Sequence, residues 1–350
     1  MMHSKRRDQL RQRIKKAGLN GFMTTSANDV FYLTGFHSEG CFLLITLKKD
    51  LLFVNGLLET QAREGTKHDA SLKVTCPQPF LKGMSENITP LHLEKIGYDS
   101  EVITLSLAKN LSSIKKIKWI PSEGLVRELR VIKSPEEIYL IRQACRITAK
   151  AYTSTIKKIK SGMTEEELMF SLENSFRNLG SARISFPSIV AFNSNSAFPH
   201  YVSGKIKLKS GSAVLIDAGS ALGHYASDFT RTIAFGKPSK EFQKIHSIVK
   251  EAQAAGIAMI KPGVTAEAVD DVCRGIIEKY GYKKYFTHGT GHGLGLDIHE
   301  NPRLMVGSKE KLVAGMVVTV EPGIYLPGKF GVRIEDTILV TKNGYEILTK

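Results

Sequence analysis

Apolar and polar positions in the first third of the chain alternate in short blocks. Leu10, Ile14 and Leu19 recur among arginines and lysines at the spacing of one helix face, which predicts a surface helix. Two apolar runs, 41–47 and 51–56, follow on either side of a short polar turn and predict a β-hairpin. Later strand-like runs also end in turn residues. This pattern predicts a small α/β domain without an evident catalytic cluster.

The pattern changes to longer helical periods near residue 128. Ser134 followed by Pro135 and two glutamates is a helix start, and Thr164 before three glutamates is another. Two further helices are predicted at about 241–260 and from Thr265. Two helix pairs, each followed by strands, predict two similar α–β halves, although no sequence repeat proves this. We therefore expect an α/β (α+β) protein with domains 1–128 and 129–350.

Composition narrows the class of protein. Hydrophobic residues make up 42% of 350 and charged residues 24%, as in ordinary globular proteins, and no apolar run reaches the roughly 18–20 residues of a membrane span. The basic N-terminus is followed by no apolar stretch, so we expect no secretory signal. Cys41, Cys76, Cys145 and Cys273 are scattered without a CxxC pair, which favours a reducing cytoplasm over disulfides or thiolate zinc.

The net charge of +15 has two interpretations. It could attract nucleic acid or acidic lipid. However, the excess is spread over both halves, with no basic block interleaved with aromatic residues, whereas nucleic-acid binders have a clustered patch. We therefore interpret the charge as a solvated surface and expect neither a nucleic-acid nor a membrane partner.

Two aspartates lie in adjoining strand-like segments. Asp217 follows four apolar residues in the strand-like segment 213–220. A turn at 222–224 would bring Asp228 beside it. Either carboxylate alone could belong to a turn or to a hydrogen-bonded strand end. As a pair in apolar surroundings they would need a cation or several hydrogen bonds.

Three of the ten histidines fall within a glycine-rich stretch, 288–301. They are His288, His292 and His299, and glycines on both sides of His292 let the backbone approach a ligand closely. The stretch lacks the strand–turn–helix setting of a dinucleotide-binding loop. We therefore expect a loop that brings a histidine to a metal ion.

Two glutamates complete a potential ligand set. Glu321 ends a strand at 316–321, and Glu335 shares a strand face with Arg333 in 331–340. Arg333 could form a structural ion pair or contact the substrate. Four carboxylates and one imidazole suit Mn²⁺, Fe²⁺, Co²⁺ or Zn²⁺. If these side chains meet, the protein is a hydrolase that activates water with metal ions.

These segments, in this order, resemble the motifs of the pita-bread metallopeptidases, which include creatinase, prolidase, aminopeptidase P and methionine aminopeptidase. A further segment, 186–201, resembles the stretch that ends in the family's catalytic histidine, here His200. The match spans about residues 130–350. The resemblance implies a pita-bread catalytic domain with pseudo-twofold α–β halves, behind a small creatinase-like N-terminal domain.

The resemblance also implies roles for individual residues. Two divalent ions, most simply Mn²⁺, would share a bridging hydroxide as the nucleophile. The implied metal ligands are Asp217, Asp228, His292, Glu321 and Glu335, with Asp228 and Glu335 bridging; Glu321 would also help to deprotonate the nucleophile. His200 and His299 would be catalytic hydrogen-bond donors. His288, Tyr325 and Arg333 would shape the proline pocket.

The segment around Arg333 favours the proline-specific branch, and the complete ligand set argues against creatinase. The motifs barely separate aminopeptidase P, which cleaves X-Pro-peptides, from prolidase, which cleaves X-Pro dipeptides. We expect aminopeptidase P, with Xaa-Pro dipeptidase as the alternative and a non-catalytic binding module as a distant third. The family implies a homodimer. Asn193 and Asn301 depart from the family's usual glycine and alanine and leave the substrate preference in doubt.

Overall fold

A computed structural model describes residues 2–114 and 116–350 of the chain. The α-helices are α1 Met2–Lys16, α2 Ala27–Thr34, α3 Glu59–Thr66, α4 Phe80–Ile88, α5 Leu105–Ser112, α6 Arg127–Arg130, α7 Pro135–Ile156, α8 Glu165–Asn178, α9 Lys240–Met259 and α10 Ala266–Lys279. Short 3₁₀ helices span Thr89–Leu91, Asn193–Ala197 and Lys283–Tyr285.

The strands of the first part of the chain are β1 Gly21–Thr24, β2 Phe42–Thr46, β3 Asp50–Phe53, β4 Leu72–Thr75, β5 Lys95–Asp99 and β6 Lys118–Ser122. Those of the second part are β7 Arg183–Ile184, β8 Ile189–Phe192, β9 Ser212–Asp217, β10 Ser220–Leu222, β11 Tyr225–Ala226, β12 Thr230–Phe235, β13 Gly291–Gly293, β14 Glu300–Leu304, β15 Val317–Val320, β16 Gly323–Leu326, β17 Phe330–Arg333, β18 Asp336–Val340 and β19 Tyr345–Ile347.

The chain separates into two compact units, Met1–Arg130 and Val131–Lys350. In the first unit, six strands form one mixed sheet in the order β4-β3-β2-β1-β5-β6. The predicted hairpin is confirmed, since β2 and β3 pair antiparallel. The predicted N-terminal helix is confirmed for Leu10 and Ile14, which α1 buries completely, but Leu19 lies beyond the end of the helix. Among the described residues, no helix is long and apolar enough to cross a membrane.

The second unit contains the four helices that the sequence predicts. Ser134 caps α7 with a capping box, Thr164 caps α8 in the same way, and Thr265 caps α10. Each cap satisfies an orphan N–H of the first helical turn, which explains why these helices begin where polar residues precede an apolar period.

The two halves of this unit repeat the same local connection. Thr164 forms an isolated β-bridge with Lys207, and Thr265 forms the equivalent bridge with Lys311. In each half a helix pair precedes an antiparallel sheet, which is β12-β9-β8 in the first half and β14-β13-β15-β18-β19 in the second. This confirms the predicted pseudo-twofold arrangement, which the sequence alone did not prove.

Two strands that the sequence predicts to be continuous are interrupted. The segment 225–235 breaks into β11 and β12 with Asp228 between them, and the segment 331–340 breaks into β17 and β18 with Glu335 between them. The halves join at these breaks, because the amide N–H of Glu335 donates to the carbonyl of Thr230 over 3.0 Å and the hydroxyl of Thr337 donates to the carbonyl of Asp228 over 2.8 Å. Continuous strands were therefore a wrong prediction.

Candidate metal centre

A pocket of about 430 Å³ lies in the second unit. It is lined by all but one of the side chains that the sequence singled out, namely His200, Asp217, Asp228, His288, His292, His299, Glu321, Arg333 and Glu335. The exception is Tyr325, which lies behind the wall and is 4% exposed. The rest of the wall includes Phe186, Pro187, Ile189, Pro199, Tyr201, Val202, Ile298, Arg303 and Met305. Residues far apart in the sequence thus share one cavity.

Three of the predicted ligands form a tight cluster. One oxygen each of Asp228 and Glu335 and one ring nitrogen of His292 all lie within 4.8 Å of one another. Nε2 of His292 lies 3.6 Å from Oδ2 of Asp228 and 3.2 Å from Oε1 of Glu321. Asp217 lines the same pocket, beside Thr230 in the β9–β12 pairing. The arrangement brings four carboxylates and one imidazole together.

Four of the five cluster residues, the carboxylates, project from a strand end or a strand break. Asp217 is the last residue of β9, and Glu321 directly follows β15. His292 was predicted to lie in a glycine-rich loop, but it sits in the middle of β13. The glycines beside it are required by the sheet: a Cβ on Gly291 would lie 2.1 Å from the carbonyl oxygen of Thr319, and one on Gly293 would lie 2.2 Å from that of Asn301.

Hydroxyl groups that the sequence analysis missed orient the cluster. Thr230 donates to Oε2 of Glu335 over 2.7 Å. Thr319 donates to Oε1 of Glu321 over 3.1 Å and accepts from the N–H of His292 over 3.0 Å. The available signal was spacing, because Thr230 follows Asp228 by two residues and Thr319 precedes Glu321 by two. Such partners fix the direction of metal ligands.

The ring of His292 is fixed by the backbone. Its Nδ1 lies 3.0 Å from the carbonyl oxygen of Gly293, an acceptor, so Nδ1 carries a proton and Nε2 faces the carboxylates. The ring of His299, an exposed residue, packs edge-on against that of His292, with centroids 4.4 Å apart. His200 is likewise exposed at the pocket wall. Both histidines therefore have access to a bound ligand.

Arg333 forms a buried ion pair with Asp217, not with its sequence neighbour Glu335. Nη2 donates to Oδ2 of Asp217 over 2.5 Å, Nη1 donates to the hydroxyl of Tyr325 over 2.8 Å, and Nε donates to Thr230 over 3.2 Å. All three guanidinium nitrogens thus have partners inside the protein. Of the two interpretations that the sequence left open, this geometry favours the structural ion pair.

Tyr325 links Arg333 to His288. Its hydroxyl lies 2.7 Å from Nε2 of His288, whose Nδ1 lies 2.7 Å from the carbonyl oxygen of Gly289. Nδ1 therefore donates, and Nε2 accepts from the tyrosine. Burial lowers the pKa of His288, which agrees with a neutral ring, and raises the pKa of Tyr325 to about 12. Hydrogen bonds thus run from Arg333 in two directions, to Asp217 and, through Tyr325 and His288, to the carbonyl oxygen of Gly289.

The carboxylates of the cluster are buried close together, so their ionised forms would be stabilised by a cation. Burial, followed by repulsion from neighbouring carboxylates, raises the pKa of Asp228 and of Glu335 well above the ordinary value. Burial also raises the pKa of Asp217, although Arg333 opposes this. For Glu321, burial acts in the same direction, but the hydrogen bond and charge of His292 outweigh it and lower the pKa to about 2. Opposite charge nearby is what keeps buried carboxylates ionised.

Two oxygens of the cluster offer free lone pairs. In the part of the chain that the structure describes, Oδ1 of Asp217 and Oε1 of Glu335 are buried without a hydrogen-bond partner. A buried carboxylate oxygen without a donor is costly, and a metal ion is one of the few partners that removes this cost. The donor set of oxygens and one imidazole nitrogen therefore fits divalent ions such as Mn²⁺, Fe²⁺, Co²⁺ or Zn²⁺.

The departure at Asn193 has a structural reason. The residue has φ of +47°, a left-handed conformation that glycine adopts freely and asparagine tolerates better than most residues. Its side chain accepts from the N–H of Ala213 and donates to Ser212, both over 3.0 Å. At this position asparagine lacks the conformational freedom of glycine, but its side chain forms two hydrogen bonds that hold the left-handed backbone. Nothing in the structure explains Asn301.

Comparisons with known proteins agree with this geometry. Residues 139–342 match the model of metallopeptidase family M24, and residues 6–132 match that of the creatinase/prolidase N-terminal domain. The chain is 37% identical over 336 residues to a Xaa-Pro dipeptidase of Pyrococcus horikoshii, a match that covers 96% of this chain and 94% of the relative.

Solved structures with the same fold cover nearly the whole chain. A Xaa-Pro dipeptidase from Bacillus anthracis has a TM-score of 0.95 and 35% identity, and the match covers 99% of this chain and 98% of that one. An X-Pro aminopeptidase from Thermotoga maritima has a TM-score of 0.91 and 33% identity, with 98% and 97% covered. The predicted resemblance and fold class are confirmed.

Proposed function

We propose, on the premise that this chain belongs to metallopeptidase family M24, that it is a Xaa-Pro dipeptidase. Family membership makes it a metallopeptidase that uses divalent ions. The observation that carries the choice of dipeptidase is the similarity, along 96% of the chain, to a relative named Xaa-Pro dipeptidase. The aminopeptidase preference drawn from the motifs agrees less well with the relatives than its alternative does.

Aminopeptidase activity remains the second candidate. A specific observation supports it, because the X-Pro aminopeptidase from Thermotoga maritima shares the fold over nearly the whole chain. The two activities differ in what lies beyond proline: a free carboxylate in a dipeptide, or more peptide in a longer substrate. The side chains at that end of the pocket therefore decide between them.

The chemistry follows from the cluster. Asp217, Asp228, His292, Glu321 and Glu335 would hold two ions. Divalent ions held by these residues would supply an activated water molecule and a Lewis acid for the scissile carbonyl. The X-Pro bond is a tertiary amide without an N–H, so a site that needs no contact with that N–H suits it.

Residues of the chain supply the remaining functions. Glu321, held by Thr319 and ionised at neutral pH, would accept a proton from the attacking water. His200 and His299, exposed at the pocket wall, would donate hydrogen bonds to the carbonyl oxygen as it gains charge. The pKa of His299 is lowered to about 4, first by the partial burial of its ring in the pocket and then by neighbouring His292, so His299 would donate as a neutral ring.

The free carboxylate of a dipeptide needs a cation that is not already engaged. Arg333 is occupied by Asp217, Tyr325 and Thr230. Arg303 is exposed and lines the pocket. It lies in β14, directly opposite His292 in the neighbouring strand β13. We therefore assign the binding of the carboxylate to Arg303, a residue that the sequence analysis missed, and the support of Asp217 to Arg333.

The test compares an X-Pro dipeptide with an X-Pro tripeptide in the presence of Mn²⁺. We expect rapid cleavage of the dipeptide and slow cleavage of the tripeptide. Preference for the tripeptide would establish the aminopeptidase. Inertness toward both, with activity on Met-initiated peptides, would exclude the proline-specific branch. A protein that binds no divalent metal would contradict both candidates.

We also propose a native metal, an oligomeric state, domain bounds and a cellular location. The carboxylate-rich ligand set supports Mn²⁺ as the native metal. The family resemblance supports a homodimer and separate domains 1–128 and 129–350. The four cysteines are free in the structure, which supports a cytoplasmic location. Metal analysis, light scattering, limited proteolysis and fractionation would test these in turn.

A further inference from the structure

Glu165 is a fully buried carboxylate at the first position of α8. Its Oε1 accepts from the N–H of Phe192 over 2.7 Å and from Nδ2 of Asn195 over 3.0 Å. Its Oε2 accepts from the hydroxyl of Tyr201 over 2.9 Å and from the N–H of Gly204 over 3.1 Å. Four donors match the four lone-pair directions of a carboxylate, so the group is fully satisfied.

All four donors belong to one segment, residues 192–204, which we name the His200 loop. The loop supplies Pro199, His200, Tyr201 and Val202 to the pocket wall. Glu165 contacts its first residue, its last residue and two positions between them. One side chain thus fixes both ends of the loop, and the backbone adds a bond from the N–H of Glu166 to the carbonyl of Gly204 over 3.1 Å.

The second half of the same unit shows that a helix start does not need this carboxylate. Helix α10 begins after Thr265 as α8 begins after Thr164, and the position that corresponds to Glu165 is Ala266, also fully buried. A buried carboxylate costs free energy unless it is paired or hydrogen-bonded. The reason for a glutamate in the first half therefore lies in the loop that it holds.

Tyr201 extends the network toward the pocket. Its hydroxyl donates to Glu165 and accepts from Nδ2 of Asn195 over 2.8 Å. Burial and then the bond to Glu165 raise the pKa of Tyr201 to about 12, so the phenol keeps its proton and stays a donor. The residue next to His200 is thereby tied to the buried end of α8.

We propose that Glu165 is a positioning residue. It holds the His200 loop in place, so that His200 stays in the same pocket as the proposed metal ligands. The inference rests on the proposed function, because the role of His200 does. Glu165 itself touches no substrate. Its effect on catalysis should therefore pass through the order and position of the loop.

The experiment compares Glu165→Gln with Glu166→Gln, a matched change at the next, half-buried residue. Glutamine has the same size as glutamate, but its NH₂ group would replace one carboxylate oxygen and face the two donors that now bind that oxygen. We expect kcat for an X-Pro dipeptide to fall about 10- to 100-fold in Glu165→Gln, the scale of a misplaced catalytic group. KM and Mn²⁺ stoichiometry should stay within about twofold of the parent, since the five metal ligands are untouched.

Hydrogen exchange gives a readout that does not depend on activity. We expect amides of residues 192–204 to exchange faster in Glu165→Gln than in the parent or in Glu166→Gln, with α10 unchanged. If Glu165→Gln does not fold, Tyr201→Phe, which removes one donor, should show the same pattern at smaller size.

The outcomes separate this inference from the proposed function. Unchanged exchange in the loop, or a kcat loss that merely equals a loss of metal-loaded protein, would overturn the positioning role. If the parent protein cleaves no X-Pro substrate, the proposed function fails, while faster exchange confined to residues 192–204 would still support Glu165 as the anchor of the loop.

Discussion

Arg333 donates to Asp217 over 2.5 Å, and both side chains are buried at the wall of the pocket. The ion pair fixes one oxygen of Asp217 and leaves the other, Oδ1, without a donor among the described residues. One oxygen of the carboxylate is thereby engaged, and the other is available to a metal ion. Arg333, which the family resemblance assigned to the proline pocket, thus orients Asp217, a proposed metal ligand.

Removal of this support should weaken metal binding. In Arg333→Gln, Asp217 loses its orienting partner, and we expect Mn²⁺ affinity to fall about 10- to 100-fold, as for other groups that hydrogen-bond metal ligands. Titration calorimetry measures this directly. Arg142→Gln, which breaks the exposed pair with Glu346, is the control and should bind metal normally. Equal affinities in the two variants would exclude the supporting role.

A neutral ligand should abolish the stabilisation that metal provides. In Glu335→Gln, we expect added Mn²⁺ to leave the melting temperature nearly unchanged. The parent should gain about 2.7 kcal/mol of stability at a metal concentration 100 times its Kd. Without metal, the variant should be at least as stable as the parent near neutral pH, because glutamine avoids the cost of keeping the buried Glu335 carboxyl protonated. Scanning calorimetry with and without EDTA measures both, and a metal-dependent gain in the variant would contradict the ligand assignment.

The same residue predicts a pH dependence for the metal-free protein. The pKa of Glu335 is raised in the folded state, so the folded state binds this proton more tightly than the unfolded chain does. The resulting stabilisation is complete below the ordinary pKa of about 4.3 and is lost as pH rises through the folded value. We therefore expect the unfolding free energy of the parent, relative to Glu335→Gln, to fall from pH 5 to pH 8.

Urea unfolding in EDTA at several pH values tests this dependence. The comparison with the variant removes the contributions of His288 and His299, whose lowered pKa values have the opposite sign. A relative stability that rises with pH would mean that Glu335 is ionised without a cation. Excess Mn²⁺ should flatten or reverse the dependence, because the metal binds the ionised carboxylate.

Arg303 should determine the preference for a free carboxylate. We expect Arg303→Gln to raise KM for an X-Pro dipeptide about 10- to 100-fold, the size of one charged hydrogen bond, with a smaller change in kcat. The amidated dipeptide, which lacks the charge, should be cleaved equally by the parent and the variant. Lys342→Gln, which lies outside the pocket, controls for net charge. An equal rise in KM for both substrates would rule out this assignment.

His200 and His299 should act on the rate and not on metal binding. We expect His200→Gln and His299→Gln each to lower kcat about 100-fold, the usual loss when one donor to a developing oxyanion is removed. Metal content, measured by atomic absorption, should match the parent. If either variant loses metal in proportion to activity, that histidine stabilises the ligand cluster instead.

The helices of the second unit and the candidate ligands could be predicted from the sequence alone. Helix caps at Ser134, Thr164 and Thr265 were readable because capping is a local interaction between a side chain and N–H groups three residues away. The acidic residues in apolar strands could be singled out because burying a carboxylate costs free energy unless a cation or hydrogen bonds compensate for it. Their motif order also carried the family resemblance.

How these residues are used depends on contacts that form only in the folded protein. The strand breaks at Asp228 and Glu335 depend on hydrogen bonds between the two halves, which strand periodicity cannot contain. The engagement of Arg333 with Asp217 joins positions more than one hundred residues apart. Glu165 also depends on such distant contacts. Its sequence position indicates only an acidic residue at a helix start, and its four hydrogen-bond donors come from residues 192–204. Local patterns encode local energies, whereas partners brought together by folding depend on the whole packing.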